Sequence, residues 1–199
     1  MFKSQFIEMF GAVKEHIFLE ECCTIHARVG WQALKKEEYL ETGDYMLITG
    51  TDFKDGRVDY STCVYVSKER YEMDEYIQVQ NGDILITKDG TIGKVAIVEG
   101  LEMPATLNAG VFVVRPDGRY NVDFFSYLFK GPVFADFVEQ VKSGSTIKHL
   151  NQGKLVKYEI PVVDMELQTK FADIYKQSDK SKLLIQYIIN SMRRFQNVY

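Results

Sequence analysis

From Glu166 to Asn197 the chain has no Gly or Pro, and a seam of positions spaced alternately four and three apart runs through it. Leu167, Phe171, Ile174, Ser178, Ser181, Ile185, Ile188, Met192 and Phe195 form that seam, and seven of the nine are apolar. A sustained repeat of about 3.5 residues predicts a long α-helix that lies along a partner helix and supercoils with it. Its 32 residues would span about 48 Å at about 1.5 Å each, more than a domain built from the rest of the chain needs for its own core. The helix is therefore expected to protrude, with Ser178 and Ser181 setting register at some loss of stability. The alternative is an amphipathic helix folded back on its own domain.

Upstream the period changes repeatedly. Phe2, Phe6, Met9 and Phe10 share one helical face before Gly11, which predicts a short helix that must dock, the long helix being a natural seat. Residues 16–30 are apolar-rich, and their first half reads as helical. Stretches 45–49, 62–67, 77–80, 83–87, 95–98, 110–115 and 158–163 read as strands, with Asp55-Gly56 and Pro116-Asp117-Gly118 as turns. Helical spacing returns over 121–142, and Gly131-Pro132 should split it in two. A polar loop with a short helical turn follows, and Asp164 is placed to cap the long helix. The fold expected is α+β: a short helix in 1–11, a mixed α/β globular domain in 12–163 and a long coiled-coil-type helix in 164–199.

A hydrophobic content of 46%, with 13 Phe and 12 Tyr, supplies one good-sized core. No apolar run approaches the ~18 residues that cross a bilayer, and the opening MFKSQFIEMFG lacks a signal-peptide core and cleavage site. A cytoplasmic protein without membrane contact is expected. Cys22, Cys23 and Cys63 are an odd number without CxxC spacing, which fits reduced thiols. Cys22, Cys23 and His26 do not make a metal site, because adjacent cysteines seldom ligate one tetrahedral ion and no second pair exists.

Charge is unevenly placed. Six basic and three acidic residues from Glu166 onward give +3; of the net −4, residues 1–165 therefore carry −7, as 18 basic against 25 acidic. Such a balance argues against strong nonspecific binding to phosphate backbones, which depends on clustered Lys and Arg.

Catalytic motifs are missing from the chain: no Walker loop, GxGxxG, HExxH, GxSxG or Asn/Asp-Pro-Pro-aromatic run occurs, and no cofactor is implied. Asp44, Asp52 and Lys54 make a sparse nuclease-like pattern, in a turn-rich segment where polar residues are expected anyway. The loop in GDILITKDGTIGK admits two readings. Thr87, Lys88, Thr91 and Lys94 could donate to phosphates or base edges while Asp89 accepts from a cytosine amino group. The simpler reading on pattern alone is an Asp-Gly hairpin with solvated lysines.

An ordered set of segments shifts that balance. LEECCTIHARVG, GDILITKDGTIGKVAIV, NAGVFVVRP, a helical part, Gly144-Ser145-Thr146-Ile147-Lys148-His149-Leu150, YEIPVV and ELQTKFADIYKQSDKSK follow one another over nearly the whole chain. Together they resemble the specificity subunits of type I restriction-modification systems. GWQALKKEEY matches the family's basic opening segment only loosely, and no contact is carried over to it. Family subunits usually hold two recognition domains and two long helices, so this chain resembles a half subunit: the end of one spacer, one recognition domain and one complete spacer. The resemblance implies a noncatalytic reader of double-stranded DNA that places adenine methyltransferase subunits and, in a larger assembly, a translocating endonuclease subunit. It implies DNA-facing residues Thr87, Lys88, Asp89, Thr91 and Lys94 in the hairpin and Ser143, Ser145, Thr146, Lys148 and His149 in the later loop, with Lys54 and Arg57 as outlying contacts. It also turns the seam, from Phe171 to Phe195, into a homodimer interface, so that a two-fold pair reads a bipartite palindrome. A competing reading keeps the coiled coil and has the acidic domain bind protein rather than DNA.

Overall fold

The computed structural model describes residues 2–143 and 149–177. In chain order its elements are α1 (Phe2–Phe10), β1 (His16–Phe18), β2 (Cys23–Ala27), β3 (Tyr45–Ile48), β4 (Phe53–Lys54), β5 (Arg57–Val58), β6 (Val64–Val66), α2 (Lys68–Glu72), β7 (Gln78–Val79), β8 (Ile84–Thr87), β9 (Val95–Ile97), β10 (Ala105–Leu107), β11 (Val111–Pro116), α3 (Val122–Lys130), α4 (Pro132–Ser143), α5 (Gln152–Leu155), β12 (Glu159–Pro161) and α6 at 165–177. A six-stranded sheet runs β2-β11-β8-β9-β5-β4, a four-stranded sheet runs β6-β3-β10-β7, and β1 pairs with β12.

The apolar runs ILI and VFVV explain the layering. Successive strand residues point to opposite faces, so a strand that is apolar throughout must be covered twice. Ile84, Ile86, Phe112 and Val114 join Phe124, Phe125, Phe129 and Phe134 of the helices in one core. Leu85, Val111 and Val113 join Met46, Ile48 and Leu107 of the four-stranded sheet in the other. The six-stranded sheet is thus the middle layer. Buried Asp83 receives a two-pronged bond from Arg115 Nε (2.7 Å) and Nη2 (2.8 Å), and Nη2 also reaches Gln78 O (2.8 Å), which joins β11 to β7 of the other sheet. Asn121 caps α3 by accepting from Asp123 N and Phe124 N, and Pro132 opens α4 where its missing N–H leaves no bond unmade.

Several expectations need correction. The first half of 16–30 holds only one 3-10 turn, Leu19–Glu21, and no α-helix: β1 pairs with β12, and β2 pairs with β11 from Cys23↔Pro116 to Ala27↔Phe112. Those partners lie 85 residues (Ala27 to Phe112) or more downstream, beyond the reach of a local pattern. β10 was not expected at all; three residues sufficed because it is paired on both sides, parallel to β3 and antiparallel to β7.

The seam reading also changes at its start. Phe171 is fully buried, with ring centroids 5.5 Å from Phe6, 5.5 Å from Phe10, 5.9 Å from Phe124 and 4.7 Å from Tyr127. Gln168 and Ala172 are buried beside it, while Leu167 is exposed and Ile174 only partly covered. Gln168 locks the helix down: its Oε1 accepts from Asn121 N (2.8 Å), and its Nε2 donates to Val163 O (2.7 Å) and Arg119 O (3.2 Å). This part of the helix therefore folds back on its own domain, and Phe171 is a core residue instead of a dimer contact. The other seam positions, Ser178, Ser181, Ile185, Ile188, Met192 and Phe195, lie outside the described residues. Among the described residues no helix is long and apolar enough to cross a membrane.

Phe171→Ala should lower the unfolding free energy by about 3–5 kcal/mol in a denaturant titration. Unchanged stability combined with weakened self-association would instead return Phe171 to the dimer seam.

Candidate nucleic-acid interface

Strand directions gather a set of loops at one end of the sheets. Leu107 pairs with Ile48 at the ends of parallel β10 and β3, Val111 opens β11 opposite Thr87 at the end of β8, and Ala27 ends β2 opposite Phe112. Because 108–110 joins β10 directly to β11, these ends lie together. The loops line a cleft of about 530 Å³, walled by Tyr39, Thr49, Thr51, Asp52, Thr62, Asp89, Thr91 and Asn108.

The hairpin loop between β8 and β9 is braced from within. Thr87 is 2% exposed; its Oγ1 donates to Thr91 O and accepts from Lys94 N (2.9 Å), and Gly93 N donates to Thr87 O (2.8 Å). Gly93 adopts φ +80°, and a Cβ there would stand 3.0 Å from both Val138 methyls of α4. A Cβ on Gly50 would stand 2.7 Å from Thr87 Cγ2, so glycine lets the loop after β3 close on the hairpin. Thr87 therefore corrects one expectation: its hydroxyl is engaged inside the loop and does not face outward. Asp89, Thr91 and Lys94 are exposed, and Lys88 is partly so. Lys88 Nζ lies 5.6 Å from the Phe112 ring and Lys94 Nζ 6.0 Å from the Phe53 ring, which orients both ammonium groups without neutralising them.

Two segments predicted as separate site elements meet here. Lys88 N donates to Gly110 O (2.9 Å), and Leu150 N donates to Lys88 O (2.9 Å), so partly exposed His149 arrives beside the hairpin. Gln152 Nε2 donates to Ile25 O (2.8 Å) and ties the same segment to β2. Ser143 closes α4, whereas Ser145, Thr146 and Lys148 lie outside the described residues. Lys54 and Arg57 sit on the edge hairpin β4–β5, paired with Asp59 and Glu99, and neither lines the cleft.

Asp52 is 4% exposed and its carboxylate accepts from Thr49 N (2.7 Å), Thr49 Oγ1 (2.9 Å) and Thr62 Oγ1 (2.9 Å). Three of the about four acceptor positions of this carboxylate are thus taken inside the protein, so Asp52 braces the cleft wall, which is a structural reason for its place in the nuclease-like pattern. Tyr39, Thr49, Thr51, Thr62 and Asn108 were not singled out in the sequence. Threonines directly after a short apolar strand were the one available signal, and only the parallel pairing of β3 with β10 brings them to the hairpin. The resulting surface is rich in hydroxyls, methyls and an amide, with the exposed carboxylate of Asp89 at its hairpin wall, groups that read base edges and thymine methyls.

Thr87→Val keeps the volume and removes the hydroxyl. It should cost about 1–3 kcal/mol and speed hydrogen exchange of the Lys94 amide; unchanged exchange would show that the loop is held by other means.

The sequence model described as the type I restriction modification DNA specificity domain matches residues 14–193. A type I restriction enzyme specificity subunit of Methanocaldococcus jannaschii is 32% identical over 98 residues, 49% of this chain and 22% of that protein. In fold the chain is similar to the HsdS subunit of Thermoanaerobacter tengcongensis (TM-score 0.68, 15% identity, covering 94% of this chain and 44% of that one). It is also similar to the type I restriction-modification S subunit of M. genitalium (TM-score 0.64, 18% identity, 99% and 47%). The chain thus spans under half the length of these relatives.

Proposed function

Because the chain belongs to the family of type I restriction modification DNA specificity domains, matched over residues 14–193, we propose that it is a noncatalytic reader of double-stranded DNA that positions adenine methyltransferase subunits and, in a larger assembly, a translocating endonuclease subunit. The observation that carries this reading is the cleft, where braced loops from both sheets present hydroxyl, amide and carboxylate groups, one wall being the hairpin that also carries exposed Lys94 and partly exposed Lys88. Asp89 and Thr91 are the base readers and Lys88, Lys94 and His149 contact the backbone; Ser145, Thr146 and Lys148, from the same polar stretch of sequence as His149, are further DNA contacts. Thr87 contributes by holding the hairpin.

An acidic reader is workable when the methyltransferase subunits supply most phosphate contacts, since affinity and specificity come from different contacts. Two copies pair through the seam beyond residue 177 and read a bipartite palindrome.

Co-expression with the methyltransferase subunit in a host lacking other adenine methylation, followed by sequencing for modified adenines, tests this. A palindromic bipartite motif supports the symmetric pair; an asymmetric motif contradicts it and requires a second, different specificity chain. No modification from an assembled complex favours the protein-interaction reading, for which the acidic balance speaks. In duplex binding, Asp89→Asn should relax one position of the motif by about 1–3 kcal/mol, whereas Lys88→Ala should weaken all sequences alike and lower the salt slope by about 1. If both variants leave motif and affinity unchanged, the site assignment is wrong.

A further inference from the structure

We propose that residues 28–39 form a second DNA-contacting element beside the cleft, in which Trp31 stacks on or between bases; the inference rests on the DNA-reading assignment above. The segment is pinned at both ends to one wall of the cleft. At its start, buried Arg28 donates from Nε to Leu107 O (2.8 Å) and from Nη2 to Thr106 Oγ1 (3.1 Å). At its end, Asn108 Nδ2 donates to the Tyr39 hydroxyl (2.6 Å), and Arg70 Nε donates to Glu38 (2.6 Å). The Lys35 backbone N–H and the Arg70 guanidinium hold the Glu38 carboxyl below its usual range, so this anchor stays ionised. Thr106, Leu107 and Asn108 are consecutive, so the segment leaves the wall and returns to it as an arch.

Trp31 lies on that arch with 81% of its surface exposed. It sits in a tight turn closed by Gln32 N to Val29 O (2.9 Å) and Ala33 N to Gly30 O (3.1 Å), next to exposed Val29. The ring is therefore presented by fixed backbone. A lone exposed apolar residue needs no explanation, but two further features of the same arch point to a ligand. Arg28 Nη1 and Gln32 Oε1 are buried without a hydrogen-bond partner, a rare and unfavourable condition that an arriving polar group or a small shift of the arch would relieve. Lys35 and Lys36 follow on the same arch, exposed and without an ion pair among the described residues. An aromatic side chain followed by cations suits duplex DNA kinked at one step, where the ring wedges between the unstacked bases and Lys35 and Lys36 take the phosphates. The arch then supplies affinity that is largely independent of sequence, beside a hairpin that supplies specificity.

Trp31 is the chain's single tryptophan. Incorporating fluorotryptophan into this chain alone therefore places one fluorine NMR reporter at position 31 of the complex with unlabelled methyltransferase subunits. Adding a cognate duplex should shift the resonance. Trp31→Ala should weaken duplex binding about 10- to 100-fold without altering subunit assembly, and Trp31→Phe, which keeps a ring, should lose less. A wild-type complex that binds duplex with an unmoved resonance and an unaffected Trp31→Ala variant would overturn the arch proposal and leave the DNA-reading assignment standing. Loss of methyltransferase assembly in Trp31→Ala with duplex affinity intact would also overturn it, making the ring a protein contact. A wild-type complex that binds no duplex would remove the assignment itself.

Discussion

Burial of the central strands on both faces is the constraint from which the rest follows. β8 and β11 alternate their side chains between two cores, Ile84, Ile86, Phe112 and Val114 on one side and Leu85, Val111 and Val113 on the other. Neither face can be left to water, because each carries apolar area worth about 25 cal/mol per Å² on burial. The helices and the four-stranded sheet are the two covers. Arg115, forked onto Asp83 within the middle layer, then joins the sheets by donating from Nη2 to Gln78 O of β7. With both faces occupied, the strand ends are what the middle layer can still present, and the cleft forms there.

The chemistry of the cleft follows from how its loops are held. Asp52 and Thr87 are buried and satisfied by neighbouring loop atoms, so they act as internal braces. Their neighbours Thr51, Asp89 and Thr91 are exposed on a backbone that the braces fix. Pre-fixed loops lose little conformational freedom on binding, so more of the contact energy remains available for discrimination. The same logic holds for the arch at 28–39, anchored at Arg28 and Tyr39 on consecutive residues of one strand end. Lys35 and Lys36 on the arch and Lys88 and Lys94 on the hairpin give this acidic domain cations on two of the elements that frame the cleft.

Much of this was legible in the residues. The β8–β9 hairpin, the Asp55-Gly56 turn, the Gly131-Pro132 break and the α1 helix ending at Gly11 carry local signals, and each stands where its signal put it. The missed strands and cleft threonines share one cause. β2 and β10 are strands because of partners far away in the sequence, and Thr49, Thr51 and Asn108 join the cleft only through the parallel β3–β10 pair. Phe171 was misread because a heptad seam and a core-facing stripe place apolar residues at the same spacing; Gln168, Phe171 and Ala172 show which face the domain takes. Thr87 was misread because a threonine in a glycine-rich loop suits a phosphate donor and a loop brace equally well.

The central claim is that DNA meets the cleft end of the sheets and not the helical side. Hydrogen exchange read by mass spectrometry, on the chain assembled with its methyltransferase subunits and compared with and without cognate duplex, tests it directly. The account predicts new protection at 28–39, 49–52, 88–94 and 108–110, with α1, α3 and β12 unchanged. Protection confined to α1, α3 and β12, with those loops exchanging as before, would contradict it.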